Sequence, residues 1–256
     1  MSDRKYGWKR QLPDQRDKMW FQLSGIEPAK VLPPMVDLRP TCPAVYDQGA
    51  LGSCTANAIA GQCHFDMIRQ KKKNNWIPSR LFIYYNERMM EDSIPYDAGA
   101  NLRDGIKSLN TWGFAPEHMW AYDISKFAEQ PPVNVYTQAL RERVKLKDYG
   151  AVSQDLVSMK TAIASSYPIV IGFTVYESFE SQEVAQTGIV PMPGAGEQIL
   201  GGHAVLIVGY DDSKSMFIVR NSWGSSWGQQ GYFMMPYAYF TNPNLAGDLW
   251  CVRLVP

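Results

Sequence analysis

An α+β chain of two lobes is predicted, because a helix-patterned first half gives way after about Lys147 to segments of strand character. Three observations carry this. Small and apolar residues recur at helical spacing from Cys54 to Ile68, with Ala58, Ile59, Cys63 and Met67 on one side. Past Lys147, runs rich in β-branched and aromatic residues alternate with turn signals such as Asp211-Asp212-Ser213-Lys214. At 256 residues, 45% of them hydrophobic, the chain is long enough to bury a substantial core.

Residues 1–31 are polar and irregular but carry Tyr6, Trp8, Trp20 and Phe21. Those rings need burial, so the segment reads as an arm laid over a body rather than as disorder. Pro33-Pro34 then breaks the chain, since proline restricts both itself and its predecessor to extended geometry. The first long helix is expected from Cys54, with the Ser53 hydroxyl as its N-cap. A second is expected over Ser79–Met90. A third runs from Asn101 through Leu102, Ile106 and Leu109 to a stop at Gly113. A fourth lies near Tyr136–Val144, and Ser153 is the expected cap of one bearing Leu156, Met159 and Ile163. Strands are expected over Ile169–Tyr176, His203–Tyr210, Ser215–Val219, Gly231–Met235 and Leu249–Val255.

Composition excludes some functions. Lys and Arg total 25 and balance 25 Asp and Glu, without the basic surplus of a dedicated nucleic-acid binder. Lys71-Lys72-Lys73 reads as a solvated helix end. No run of about 18 apolar residues is present, so no membrane span is expected. The opening MSDRKYGWKR lacks the apolar core of a secretory signal, so a cytoplasmic location is the default expectation, with export by an unconventional route as the alternative. Four cysteines, Cys42, Cys54, Cys63 and Cys251, are too few for a disulfide scaffold and show no zinc-finger spacing. No metal and no cofactor are expected.

Chemistry concentrates at YDQGALGSCTANA, where Cys54 stands between a Gly-rich turn and a helix. The thiolate is the reactive form of cysteine, and a helix N-terminus favours it. Gly49 and Gly52 allow a tight turn and a close approach of substrate. On this stretch alone a buried, inert cysteine fits as well. His203 opens a strand in GGHAVLIVGYDD, and Asn221 ends the next one in RNSWGSSWGQQGYF. Two neighbouring strands joined by a turn can set His203 beside Asn221, whose amide oxygen would orient the imidazole, with Trp223 or Trp227 screening that bond.

Together, VDLRP (Val36–Pro40), DQGALGSCTANA, GGHAVLIVGYDD and VRNSWGSSWGQQGYF resemble the papain-like cysteine peptidases, in the order of that family. His203 lies about 150 residues beyond Cys54, the separation expected there. The resemblance implies a helical left lobe, a β-barrel-like right lobe and an active-site cleft between them. It implies an arm or short pro-segment over 1–31 and a peptidase domain over 32–256. Within that domain the helical lobe covers about 45–146, and the β-rich lobe about 147–248 with the 36–44 segment. The implied activity is hydrolysis of peptide bonds through a thiolate–imidazolium pair, Cys54–His203, and an acyl-enzyme. Asn221 would orient His203, and Gln48 with the Cys54 N–H would form the oxyanion hole. Gly99, Ala100, Asn101, Leu102, Gly201, Gly202 and Trp223 would border the bound peptide, with small residues leaving a roomy pocket.

Two positions depart from the family pattern. Leu51 replaces a cysteine and Thr55 an aromatic residue, and Cys42–Cys251 pairing is left open. The segment before Leu32 is too short for the usual helical pro-domain. It would pack across the cleft and gate it, or merely cover apolar surface. The expected partner is a peptide or protein substrate, and the expected state a monomer. Two other readings use the same site: a catalytically silent peptide-binding or regulatory protein, and an acyl transferase.

Overall fold

The computed structural model describes residues 4–27, 31–72, 75–141 and 146–255. The arm carries one short helix, α1 (Trp20–Ser24), and the helical lobe is built from α2 (Cys54–Arg69), α3 (Arg80–Met90), α4 (Leu102–Trp112) and α5 (Val133–Arg141). The part of the fourth predicted helix beyond Arg141 lies outside the described residues. A further helix, α6 (Leu156–Ala164), flanks the sheet.

α2 is the spine of the molecule. It packs on α3 and α4 on one side and on the sheet on the other, and every residue from Cys54 to Met67 is buried. Small side chains permit this: an ideal Cβ on Gly61 would lie 3.4 Å from the Arg220 side chain and 3.6 Å from that of Leu206. Ser53 precedes the helix without capping it. Its hydroxyl instead meets Tyr122 Oη and accepts from Asn57 Nδ2 (3.1 Å), so tertiary partners have taken the oxygen a cap would use. Ser79 does cap α3, accepting the Phe82 N–H at 3.2 Å. At α6 the cap is Asp155 rather than Ser153, its Oδ1 accepting the Ser158 N–H at 2.8 Å.

Among the described residues, seven antiparallel strands form one sheet: β1 (Met35–Asp37), β2 (Leu146–Ala151), β3 (Ile169–Tyr176), β4 (Ile199–Asp211), β5 (Met216–Arg220), β6 (Tyr232–Pro236) and β7 (Ala246–Leu254). The order is β2-β7-β3-β4-β5-β6, with β1 added on β4. The expected barrel is thus an open sheet, because β2 and β6 are not paired to each other. β4 is the organising strand. It pairs with β3 over Ile199–Ile207, with β5 over Leu206–Asp211 and with β1 over Gly209–Asp211.

Two large cores result. One lies between α2, α3, α4 and the sheet, the other on the far side of β3, β4 and β5. The arm belongs to both, since Trp8 is buried in the first and Trp20 in the second. All four cysteines are free. The Cys42 Sγ lies 3.5 Å from the Leu38 carbonyl and that of Cys251 lies 3.4 Å from the Pro168 carbonyl, so those two residues are not bridged. Among the described residues, no helix is long and apolar enough to cross a membrane.

Candidate active site

Cys54 occupies the first turn of α2, fully buried at the seam where that helix meets β4. Backbone N–H groups of Ala204, Gly7 and Thr55 face its sulfur and favour the thiolate. Ala204 follows His203 on β4, so the strand delivers the histidine to the same seam. Among the described residues there is no direct Cys54–His203 hydrogen bond; the sulfur instead faces the N–H of Ala204 on the neighbouring strand.

His203 is held by its far nitrogen. The Asn221 Oδ1 lies 2.8 Å from His203 Nε2 and also accepts the Ser222 N–H at 2.8 Å. An atom that accepts a backbone N–H is the amide oxygen, so His203 Nε2 carries the hydrogen of that contact. Nδ1 is then the basic nitrogen, buried and without a hydrogen-bond partner among the described residues. Trp223 stacks on the imidazole, with centroids 4.9 Å apart and planes 23° from parallel. Phe173, opposite His203 on β3, closes another side edge-on.

Gln48 ties the two walls together. Its Oε1 accepts the Ser222 hydroxyl at 2.6 Å and its Nε2 donates to the Leu51 carbonyl at 3.0 Å. Nε2 also donates to the carbonyl of Lys5, an arm residue, at 3.2 Å. Thr55 supports the start of the helix from behind through its hydroxyl, 2.5 Å from Glu87 Oε1. Burial pushes the Glu87 carboxyl well above its usual range.

The arm lies in the cleft, bonded through its backbone to both walls. Ala100 N–H donates to the Gly7 carbonyl (2.7 Å), Lys9 N–H donates to the Ala100 carbonyl (3.1 Å), and Trp8 N–H donates to the Gly202 carbonyl (2.9 Å). The arm is thereby bonded to both lobes and paired parallel at Ala100. Contact is close enough to need glycine: an ideal Cβ on Gly7 would stand 1.7 Å from the Gly52 carbonyl oxygen. Tyr6 bonds Glu180, Arg4 sits over the Trp223 ring at 4.2 Å, and Lys5 and Lys9 pair with Asp97 and Glu91 at 2.9 and 3.2 Å.

Of the residues expected to border a peptide, Gly99 and Ala100 face the arm backbone on one side, and Gly201 and Gly202 face Tyr6 and Trp8 on the other. Trp223 lies under Arg4. Asn101 instead turns its N–H and side chain to Glu91 (2.6 and 3.1 Å), and Leu102 is wholly buried in the helical core. Two contributors were not anticipated. Gly172 lies against the Trp8 ring, and Asp248 Oδ2 accepts the Trp8 indole N–H at 2.9 Å. Neither stands in a recognisable motif; the occupant of the cleft reveals them.

Burial sets the charge state of the covered site. It pushes the Cys54 thiol up to about 11, against the three N–H groups that favour the thiolate, and pulls His203 down to about 4. Under the arm both groups are therefore neutral near pH 7. For His203 the linkage is direct. Its folded value lies below the ordinary 6.5, so its contribution to stability is present above pH 6.5 and is lost as pH falls toward 4, by roughly 3 kcal/mol. His64, also drawn down to about 4 by burial, acts in the same direction. Denaturant midpoints are expected to begin falling near pH 6.5, above the carboxylate range; midpoints flat down to pH 5 would contradict this.

Comparison with known proteins agrees with the geometry. A family model for papain family cysteine protease matches residues 32–246. An uncharacterised peptidase C1-like protein of Acanthamoeba polyphaga mimivirus is 44% identical, over 98% of this chain and 88% of its own. The crystal structure of xylellain, a cysteine protease from Xylella fastidiosa, is 40% identical with a TM-score of 0.90, covering 100% of this chain and 98% of its own. A digestive procathepsin L 3 from Tenebrio molitor larval midgut shares the fold at 21% identity, with a TM-score of 0.73 over 94% of this chain and 75% of its own. The matched span takes in both walls of the cleft, and the chain belongs to the papain family of cysteine proteases.

Proposed function

We propose that Cys54 is the nucleophile of this cysteine peptidase, that His203 and Asn221 serve it, and that the arm keeps the enzyme latent. The observation that carries the reading is the imidazole tethered at Nε2, with Nδ1 left free, one residue from the N–H that meets the sulfur. With a peptide in place of the arm, His203 Nδ1 takes the thiol proton and the sulfur attacks the carbonyl carbon. The C–N bond breaks as the imidazolium protonates the leaving amine, giving a thioester. Water, deprotonated by His203, then attacks the thioester and releases the acid and the thiol.

Gln48 Nε2 suits the developing oxyanion because it already donates to a carbonyl oxygen there, that of Lys5. Proton transfer needs the imidazole held in one orientation. Asn221→Ala is therefore expected to lower kcat by about 10- to 100-fold with little change in KM. An unaltered kcat would remove Asn221 from the mechanism.

The test is exposure of a varied peptide library to the full chain and to its Trp8→Ala variant, with products read by mass spectrometry. Cleavage at internal peptide bonds, accompanied by labelling of Cys54 with an epoxide, is expected. Peptide binding without cleavage by either protein would favour the silent binder, and amide products formed only with an added amine would favour acyl transfer. Adding membranes or nucleic acid is expected to change nothing.

A further inference from the structure

Asp97, in the loop between α3 and α4, joins two stretches of the cleft wall that lie far apart in sequence. Its side chain is only 10% exposed. The Gly52 N–H, 45 residues back along the chain, lies 3.0 Å from Oδ1 and 3.2 Å from Oδ2. Tyr84 Oη donates to Oδ1 at 2.6 Å and itself accepts the Gly99 N–H at 3.2 Å. One carboxylate is thus bonded directly to the turn before Cys54 and, through Tyr84, to the strip Gly99–Ala100. That strip grips an extended backbone, since the Ala100 N–H and carbonyl hold the arm at Gly7 and Lys9.

The turn needs an outside support at this point. Gly52 has no side chain to anchor it, and one would crowd the acid, because an ideal Cβ there would stand 3.1 Å from Asp97 Oδ1. Its buried N–H requires an acceptor, which Asp97 supplies. The same turn leads into the Cys54 sulfur and N–H, and it holds Gln48 through the Leu51 carbonyl at 3.0 Å. A peptide that replaces the arm on Ala100 must bring its carbonyl to those groups. Lys5 also pairs with Asp97 Oδ2 at 2.9 Å, but it is 57% exposed and belongs to the arm, so it adds little to the open site.

We propose that Asp97 is a positioning residue of the peptidase, setting the register between the strip that grips the substrate backbone and the turn that receives the oxyanion. It acts through Gly52 and Tyr84 rather than on the substrate itself. The proposal rests on the peptidase reading above for hydrolysis, and a peptidyl aldehyde tests it without hydrolysis.

The full chain opened by Trp8→Ala is compared with the same chain carrying Asp97→Ala. Misplacing the reacting groups by about 1 Å is costly while the Ala100 grip remains, so kcat is expected to fall about 10- to 100-fold with KM within about 3-fold. Affinity for the aldehyde should fall by a similar factor. There the Cys54 sulfur bonds the aldehyde carbon and the thiol proton passes to the former carbonyl oxygen, which occupies the oxyanion position. Alkylation by iodoacetamide uses the sulfur but no oxyanion site, and its rate should stay within about 2-fold. Asp97→Asn keeps an acceptor for Gly52 and should restore kcat to within about 5-fold of the opened parent. Tyr84→Phe leaves the Gly52 bond but cuts the link to Gly99; it should lower kcat about 3- to 10-fold and serves where Asp97→Ala folds poorly.

Unchanged kcat and aldehyde affinity overturn the proposal and leave the peptidase standing. A joint fall in kcat, alkylation rate and melting temperature that Asp97→Asn does not rescue also overturns it, since the acid would then be merely structural. Asp97-dependent capture of the aldehyde by a chain that hydrolyses no peptide upholds the positioning role and overturns the peptidase.

Discussion

Cys54→Ala is expected to lower kcat/KM for peptide hydrolysis by about 10,000-fold or more, because the acyl-enzyme route has no substitute for the sulfur. The site is built around that atom. Three backbone N–H groups converge on it, one from α2, one from β4 and one from the arm. None of them is a nucleophile, and His203 Nδ1, buried and without a hydrogen-bond partner among the described residues, is the expected base. Alanine fits the cavity with little disturbance, since the helix start is already held by Thr55 with Glu87 and by Asn57 with Ser53. The variant should therefore fold and bind peptides normally, which separates lost chemistry from lost structure. Residual hydrolysis within about 100-fold of the parent, in protein shown to carry the substitution, would place the nucleophile elsewhere.

Much of this site was legible before folding because its residues sit where local rules are strong. A cysteine after a glycine turn and before a run of small residues marks a helix start, and α2 begins at Cys54. His203 falls on β4 and Asn221 directly follows β5, which the turn over residues 212–215 joins to β4, so pairing the two strands brings them together almost by necessity.

What stayed hidden depends on contacts between distant segments. β2 reads LKDYGA, with two charges and a glycine, and becomes a strand only because β7 pairs with it and α1 covers it. Ser53 looks like a cap but spends its hydroxyl on Tyr122 and Asn57. Asp248 gives no local signal at all; its meaning depends on Trp8, which stands at the other end of the chain.

The arm supplies the second large effect. Trp8→Ala in the full chain is expected to raise peptidase activity by roughly 100- to 1000-fold. Truncating a buried tryptophan costs about 3–5 kcal/mol, and here the loss falls on the arm-bound state alone, so the bound-to-open ratio drops by a comparable factor. The arm does more than occupy volume. It places the Lys5 carbonyl on Gln48 Nε2 and the Gly7 N–H on the sulfur, and it shields the thiol from water, pushing it up to about 11. Opening should hydrate the sulfur and bring its alkylation by iodoacetamide to lower pH, a shift that simple unblocking of a pre-ionised thiol would not produce. Gly7→Leu should act alike by a different route, through the collision with Gly52 rather than an emptied slot. If both variants matched the parent in activity and in alkylation profile while remaining folded, the segment would be a surface cover and not a gate, and the latency of the enzyme would need another cause.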